Sequence, residues 1–425
     1  MSSLPLVEAL SSVLPADVVA CDEETLTRHA HDETEDLVHR PDVVVSPRSE
    51  QEVRALLRLA AERRFPVTPQ GGLTGLSGGA LASSGGVALD LTRMNAIVEI
   101  DRENLFAVVE PGVVTQTLQE MVEGEGLFYP PDPASRGSCT IGGNIAENAG
   151  GPRAAKYGTT GRYVSGLRVA LAGGAVLALG GKNRKDVAGY DLLSLFVGSE
   201  GTLGVVTQAT LRLVPLPSHR RLLWASFAEE EKALAAVSLL YRSGREPSAC
   251  EFMERRAAEV SAASLALQLP ADANAHLFVE ADGFEEDAVE RDVERFGGIL
   301  DGAGATEIVL AVSEPEQRQL WRLRRAVGEA VKRLGPYAEE DCSVPRTRLA
   351  ELFRTVREIA DRHGLLVVSY GHAADGNIHV NVVEPPGERE RWLGSRDAAI
   401  TEIFRAVVAL GGTITGEHGV GLTQR

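Results

Sequence analysis

At 425 residues the chain is too long for a single hydrophobic core and calls for two or three domains, and its 44% hydrophobic and 24% charged residues are those of an ordinary globular protein. A formal charge of -17 leaves no basic surface for nucleic acid, and the four cysteines, Cys21, Cys139, Cys250 and Cys342, form no C-x-x-C pair that would hold an iron–sulfur cluster or zinc. No run of about 18 apolar residues offers a membrane span, and no Lys or Arg precedes Arg28 as a secretory signal requires, so a cytoplasmic protein is expected.

Residues 1–36 read as a helical lead-in without chemistry, in which His29 and His31 are surface or capping groups. A short strand at 42–45 follows. Ser49-x-x-Glu52 forms a capping box for a helix over 51–64, with Val53, Leu56, Leu57 and Ala60 on one face. A second strand near Phe65 runs into PQGGLTGLSGGA, 69–80, whose five glycines let main-chain N–H groups close on an anion without Cβ obstruction. This is neither G-x-G-x-x-G nor G-x-x-x-x-G-K-[ST]. Strands at 86–91, 96–100 and 106–110 and a helix at 115–123 give an α+β pattern rather than a regular βαβ series. The segment 129–167, YPPDPASRGSCTIGGNIAENAGGPRAAKYGTTGRYVSGL, is far longer than a typical loop. Within it Gly142-Gly143 permits close backbone contact, and Asn144 and Asn148 can bond an amide-rich heteroaromatic ring. A hairpin turning at Gly173-Gly174 and a third small-residue turn, GSEGTLGVVT at 198–207, close the region near Pro217.

Beyond it we expect a strand at 222–227, a helix at 229–242, a strand at 276–280 and a helix at 286–296. The amphipathic run LWRLRRAVGEAVKRL, 320–334, sets Arg324 on a half-apolar stripe with Leu320 and Trp321. There it either receives a substrate carboxylate or snorkels over Trp321. The run AEEDCSVPRTRL, 338–349, carries no assigned chemistry and leads to a helix over 346–363. LLVVSYGHAADGNIHVNVV, 365–383, reads as a β-hairpin on a two-residue type I′ turn, Asp375-Gly376. In that register His372 faces His379 with Cβ atoms about 4.5 to 5.5 Å apart. Two such imidazoles can share a metal ion, or bond water and backbone in a half-buried hairpin. A helix at 397–410 delivers the chain to GGTITGEHGVG, 411–421, where Glu417 and His418 stand between glycines.

Three separated glycine-rich loops imply a long ligand with phosphates and rings. Together PQGGLTGLSGG, PPDPAS with TIGGNIAENAGGPRAAKYG, GGKNRKDVAGYDLLSLFVGSEGTLGVVT, GHAADGNIH and GEHGVG resemble, in order and over about residues 32–422, the FAD-linked dehydrogenases of the vanillyl-alcohol oxidase and p-cresol methylhydroxylase (PCMH) superfamily. The branch they most resemble holds the FAD-linked glycolate oxidases and the FAD-dependent D-lactate dehydrogenases. The resemblance implies an α+β protein with a PCMH-type FAD-binding domain at 37–217 and an α+β substrate (cap) domain with an antiparallel sheet at 218–425. It further implies that Gly71, Gly72, Thr74 and Gly75 hold the FAD pyrophosphate. Pro131, Asp132, Thr140, Gly143, Asn144, Asn148 and Gly151 would line the flavin and its ribityl chain, with Gly204 and Val205 near the adenine. Leu73 stands where a tethering nucleophile would be needed, and Cys139 reads as a packing residue, so the expected FAD is noncovalent.

The same resemblance implies oxidation of a small D-2-hydroxy acid of the glycolate or D-lactate class to the 2-oxo acid, with hydride transfer to flavin N5. The family's W-x-x-R pattern favours Arg324 for the substrate carboxylate. His372, His379 and Glu417 make up the ligand count of an open catalytic zinc-type site, to which manganese or iron is also suited, and His418 is the candidate base. Asp375 shapes the turn. Alternatives are FAD-dependent oxidation of D-2-hydroxyglutarate or an aldonolactone and, more distantly, a metal-dependent hydrolase. Lacking clustered cysteines, the chain would pass electrons to a separate acceptor, a quinone, cytochrome or iron–sulfur protein, as a homo-oligomer or part of a complex. Such relatives continue past GEHGVG to an Asn-Pro-Gly-Lys-like tail, which is missing from a sequence that stops at Arg425.

Overall fold

A computed structural model of the chain describes residues 3–34 and 37–424. The expected end of the lead-in, Asp36, and the final Arg425 lie outside the described residues. The chain divides into two compact units, one of Met1–Gly150, Gly158–Leu216 and Glu417–Arg425, the other of Gly151–Tyr157 and Pro217–Gly416. The lead-in is thus part of the first unit, and 151–157 and 417–425 each belong with the unit opposite to the one their place in the sequence suggested.

In the first unit, Val19–Ala20, Val43–Val45, Val87–Asp90 and Val67–Gln70 form a sheet in that order, its last three strands parallel. The helix Glu50–Arg63 buries Val53, Leu56, Leu57 and Ala60 as the periodicity requires, and Ser49 caps it by accepting from the Glu52 N–H. The box is not reciprocal, because the Glu52 carboxylate accepts from the Arg48 N–H, one residue further out. A second, antiparallel sheet runs Ile97–Asp101, Phe106–Val109, Val205–Arg212, Val164–Ala170, Val176–Gly180. His29 is buried rather than a surface group: its Nδ1 lies 2.7 Å from Oε1 of Gln70, at the mouth of the first glycine loop.

The second unit is one antiparallel sheet in the order Ala305–Ala311, His219–Phe227, Ala275–Gly283, Ala249–Glu254, Leu366–Gly371, Asn377–Val383, Tyr337–Ser343. Helices pack on both faces. Leu223, Phe252, Leu277, Ile378 and Val380 face one core with the helices Glu230–Arg242, Glu286–Gly302 and Leu349–His363. Alternate residues, Leu222, Met253, Phe278, Tyr370 and Val383, face the other, with Arg255–Leu265, Glu314–Arg325 and Val327–Lys332. The amphipathic run expected over 320–334 is therefore two helices meeting at Ala326 rather than one.

The hairpin differs from its expected register. Tyr370, not His372, pairs with His379, and residues 372–376 form the connection. The turn closes on His372 O, which accepts from the Asp375 and Asn377 N–H groups at 3.2 Å, and it is also tied outward: the Ala374 N–H donates to Cys250 O at 3.0 Å, and Gly376 O accepts from the Val344 N–H at 2.9 Å. Gly376 has φ +87°, and a Cβ there would meet Val344 O at 2.0 Å, so glycine is demanded by a close approach as well as by the turn. Asp375 is exposed in it.

Candidate active site

In the first unit the glycine loops enclose an open cleft of ≈ 710 Å³. Gly71, Thr140, Gly143, Gly204 and Val205 line it, as expected of cofactor contacts. A Cβ on Gly71 would lie 2.4 Å from Thr140 Oγ1, and one on Gly72 2.2 Å from Ser138 O, so the two loops meet at a spacing only glycine permits. Thr140 caps the helix Ile141–Glu147, its hydroxyl accepting from the Gly143 N–H at 3.4 Å. Thr74 and Gly75 are half-buried in the same first loop. Pro131 and Asp132 are buried, and Pro131 O accepts from Gln119 Nε2 at 2.8 Å.

Both asparagines make hydrogen bonds within the protein. Asn144 Nδ2 donates to Thr115 Oγ1 at 2.7 Å. Asn148, left-handed at φ 53°, closes the helix and accepts from Thr159 Oγ1 and the Gly161 N–H at 2.9 and 2.8 Å. Gly151 belongs to the second unit. Cys139 is buried, with its sulfur 3.3 Å from Thr115 Oγ1, and burial pushes its thiol up.

Two acidic cleft residues, Glu147 and Glu200, escaped the sequence reading. Burial and the neighbouring Glu200 push the Glu147 carboxyl up to about 8 against the opposing pull of His418. Glu200 accepts the N–H groups of Val420 and Gly421 at 2.9 and 2.7 Å, and the Leu422 N–H donates to Ser77 O at 2.7 Å. Residues 420–422 are therefore anchored on Glu200 of the third glycine-rich turn and on Ser77 of the first. Glu417 and His418 are half-buried, with carboxylate and imidazole 3.8 Å apart.

In the second unit the strand alternation gathers polar side chains on one face. Glu251 shares its side of the sheet with Met253, and Arg324 reaches it from the helix Glu314–Arg325, Nη2 to Oε2, at 2.7 Å. Both Glu251 oxygens lie 2.9 Å from His372 Nδ1. The rings of His372 and His379 are perpendicular with centroids 5.3 Å apart, and Tyr370 lies 5.2 Å from His379. The corrected register thus still brings the two histidines together, one from the turn and one from the strand. His379 Nδ1 is 3.5 Å from Glu339 and 3.7 Å from Asp341, both on the strand Tyr337–Ser343 to which no chemistry was assigned. Buried Asp341 accepts from Asn377 Nδ2 at 2.6 Å, Thr415 Oγ1 at 3.0 Å and the Gly416 N–H at 2.8 Å. Arg324 does not snorkel over Trp321. Its guanidinium lies 5.2 Å from the Tyr370 ring, and Arg325 takes the place over Trp321 at 5.3 Å.

Deeper on the same face, Arg153 makes two bonds to Glu280 at 3.0 and 3.1 Å, and Trp321 Nε1 donates to it at 3.1 Å. Burial alone would raise the Glu280 carboxyl, but the Arg153 guanidinium holds it down at about 2. Of the missed acids, Glu251 and Glu280 stand among apolar strand residues, the one signal that could have drawn attention to them, whereas Glu339 and Asp341 are part of the acidic run 339–341.

A glycine-walled cleft beside one sheet system, joined in the chain to an antiparallel sheet bearing a buried cluster of His, Arg and carboxylates, is the build of a flavin-dependent oxidoreductase. The first part, residues 41–180, matches the FAD binding domain, and 216–425 match the C-terminal domain of FAD linked oxidases. The chain is 42% identical to "Glycolate oxidase subunit GlcD" of Bacillus subtilis (strain 168) over 92% of its own length and 83% of that protein's. It is 34% identical to "D-lactate dehydrogenase" of Anaerostipes hadrus over 98% and 89% of the two chains. The solved structure of p-cresol methylhydroxylase with substrate bound superposes with a TM-score of 0.81 at 17% identity, over 98% of this chain and 89% of that one. The protein belongs to the FAD-linked oxidases with a PCMH-type FAD-binding fold, oxidoreductases acting on CH–OH donors. This sets aside the hydrolase alternative. The cleft fits the cofactor, since Gly71, Gly79, Gly142, Gly143, Gly201 and Gly204 line it, a wall of main chain without Cβ atoms that suits a phosphate-bearing ligand. No helix among the described residues is long and apolar enough to cross a membrane.

Proposed function

We propose that the protein oxidises a small D-2-hydroxy acid, of the glycolate or D-lactate class, to the 2-oxo acid. Names of relatives that act on glycolate and D-lactate support the substrate class. The observation that carries the reading is Arg324: buried, stacked on Tyr370, its Nε without a hydrogen bond among the described residues, in the face that holds His372 and His379. A buried guanidinium with an unspent donor suits a carboxylate that arrives with the substrate.

When bound in the cleft, FAD supplies the acceptor for the two electrons and the hydrogen taken from Cα. We assign it noncovalent binding, because no His or Cys is among the residues lining the cleft. A divalent metal, zinc by ligand type with manganese or iron also suited, supplies a positive charge that makes the substrate hydroxyl acidic enough to lose its proton near neutrality. His372, His379 and Glu417 would hold it. The donor set suits such an ion, with two imidazoles side by side and carboxylates around them. Glu417 follows directly on Gly416, whose N–H is fastened to Asp341, the residue paired across the strands with His379. Arg324 fixes the substrate carboxylate, and with it the direction of the Cα–H bond. An imidazole nitrogen of His418 takes the proton from the substrate hydroxyl oxygen. Electrons then leave to a separate quinone, cytochrome or iron–sulfur protein.

Anaerobic titration of the flavin-containing protein tests the reading. D-Lactate or glycolate should bleach the flavin, and bleaching by an aldonolactone or D-2-hydroxyglutarate alone would shift the assignment to the alternative substrates. His418→Ala should keep flavin and metal but lose bleaching; retained reduction would remove His418 from the mechanism.

A further inference from the structure

We propose that Glu251 is a positioning residue shared by the two halves of the substrate site: it holds His372 in the tautomer a metal requires and pins Arg324 for the substrate carboxylate. This rests on the roles proposed above for His372 and Arg324.

The geometry is confined to one face of one sheet. Glu251 is fully buried on the strand Ala249–Glu254, and its two oxygens both lie 2.9 Å from His372 Nδ1. A carboxylate only accepts, so this contact requires a proton on Nδ1 and leaves the lone pair of the ring on Nε2. Imidazoles that ligate metals are commonly fixed through the other nitrogen in this way, and loss of the outer partner typically costs about 10- to 100-fold in metal affinity. Oε2 of the same carboxylate lies 2.7 Å from Arg324 Nη2. With its Cζ over the Tyr370 ring at 5.2 Å, the guanidinium is held beside Glu251 by this ion pair, while Nε and Nη2 both lack a hydrogen bond among the described residues. Two separate acids would leave metal ligand and carboxylate anchor free to shift independently. One shared acid ties them to the same point of the sheet.

A purely structural ion pair would show the same distances, so the test must separate stability from metal affinity. Glu251→Gln is nearly isosteric, and Glu251→Leu combined with Arg324→Met leaves no buried unpaired charge, the condition under which such a replacement is often tolerated. Metal-stripped, flavin-containing full-length protein is titrated with zinc against a chromophoric chelator, alongside thermal melts. The double variant should melt like the wild type yet bind zinc roughly 10- to 100-fold more weakly, with Glu251→Gln weakened less, because its amide oxygen can still accept from Nδ1. At saturating zinc, Glu251→Gln should also weaken oxalate binding, read from the flavin spectrum, by at least about 10-fold, the loss expected when an interaction of about 1.4 kcal/mol is removed. Zinc affinity unchanged in the folded double variant, or oxalate affinity unchanged in Glu251→Gln, overturns the proposal. Wild-type protein that takes up neither zinc, manganese nor iron overturns the metal reading beneath it, a result visible without any variant.

Discussion

Gly72 offers the sharpest test of how the first glycine loop is built. A Cβ at this position would sit 2.2 Å from Ser138 O, 3.2 Å from Ser138 C and 3.4 Å from Cys139 Cα, all main-chain atoms that cannot swing aside. Alanine must therefore push the first loop away from the segment entering the helix Ile141–Glu147. Overpacking of this kind costs about 1 to 3 kcal/mol. If the displaced loop is the one that closes on the cofactor, the same cost appears in binding, and at ~1.4 kcal/mol per tenfold it lowers FAD affinity roughly 5- to 150-fold. Gly75→Ala is the control within the loop, because its Cβ would meet only Asp32 Oδ2 at 3.7 Å, an ordinary contact. It should leave apoprotein stability within about 0.5 kcal/mol of wild type. Fluorescence titration of deflavinated protein with FAD, together with thermal melts, reads both quantities. Gly72→Ala with wild-type FAD affinity and melting temperature would refute the close approach of the two loops as the reason for glycine.

Acid precipitation should leave a colourless pellet and a yellow supernatant, since Cys139 is buried against Thr115 and no other thiol lies in that segment; colour in the pellet would mean a covalent link. Glu254 is pushed up to about 7, by burial first and against the Ser369 N–H and Arg357. Its protonated form is thus favoured in the folded state. The resulting stability is complete below about pH 4.5 and is lost as the pH rises through about 7, a span on the order of 3 kcal/mol at 1.36 kcal/mol per unit. Glu254→Gln should raise stability at pH 8.5 relative to wild type and leave it little changed at pH 4.5, as denaturant melts at the two pH values would show. Asp341→Asn presents an amide to three donors, from Asn377, Thr415 and Gly416, and should cost about 1 to 3 kcal/mol locally. Faster hydrogen exchange at Gly416 would register it, and unchanged protection would deny Asp341 its anchoring role.

The cofactor half was readable because its requirement is local. A loop that must expose main chain and approach another loop closely needs glycine wherever a Cβ would collide, and those glycines stand in the sequence as they stand in space. The asparagines are harder to read. Their side chains answer equally to a ligand and to nearby hydroxyls and N–H groups, and within the protein they bond Thr115, Thr159 and Gly161. The hairpin was readable as a hairpin but not in register. Asp375-Gly376 marks where the chain reverses but not how long the loop is: His372 O accepts from both the Asp375 and Asn377 N–H groups, and further bonds to Cys250 and Val344 hold 372–376 out of the ladder.

The substrate half was legible only at its ends. His372, His379, Glu417, His418 and Arg324 announce themselves as residue types, whereas the acids that orient them do not, because their partners lie far away in sequence. Glu251 is 121 residues from His372, and nothing in ACEFME says which way its side chain points until strand order places 249–254 beside 366–371. Once that order is given, the period of two decides the rest. Glu251, Tyr370, His379, Asp341 and Glu339 must share a face, because Phe252, Ile378, Val380 and Cys342 between them face the other core. A shift of one residue in any of these strands would exchange a buried acid for a buried hydrocarbon on both faces at once. The apolar residues on the far side therefore hold the register of the polar cluster, so a core substitution such as Ile378→Asp would disturb the histidines without touching them.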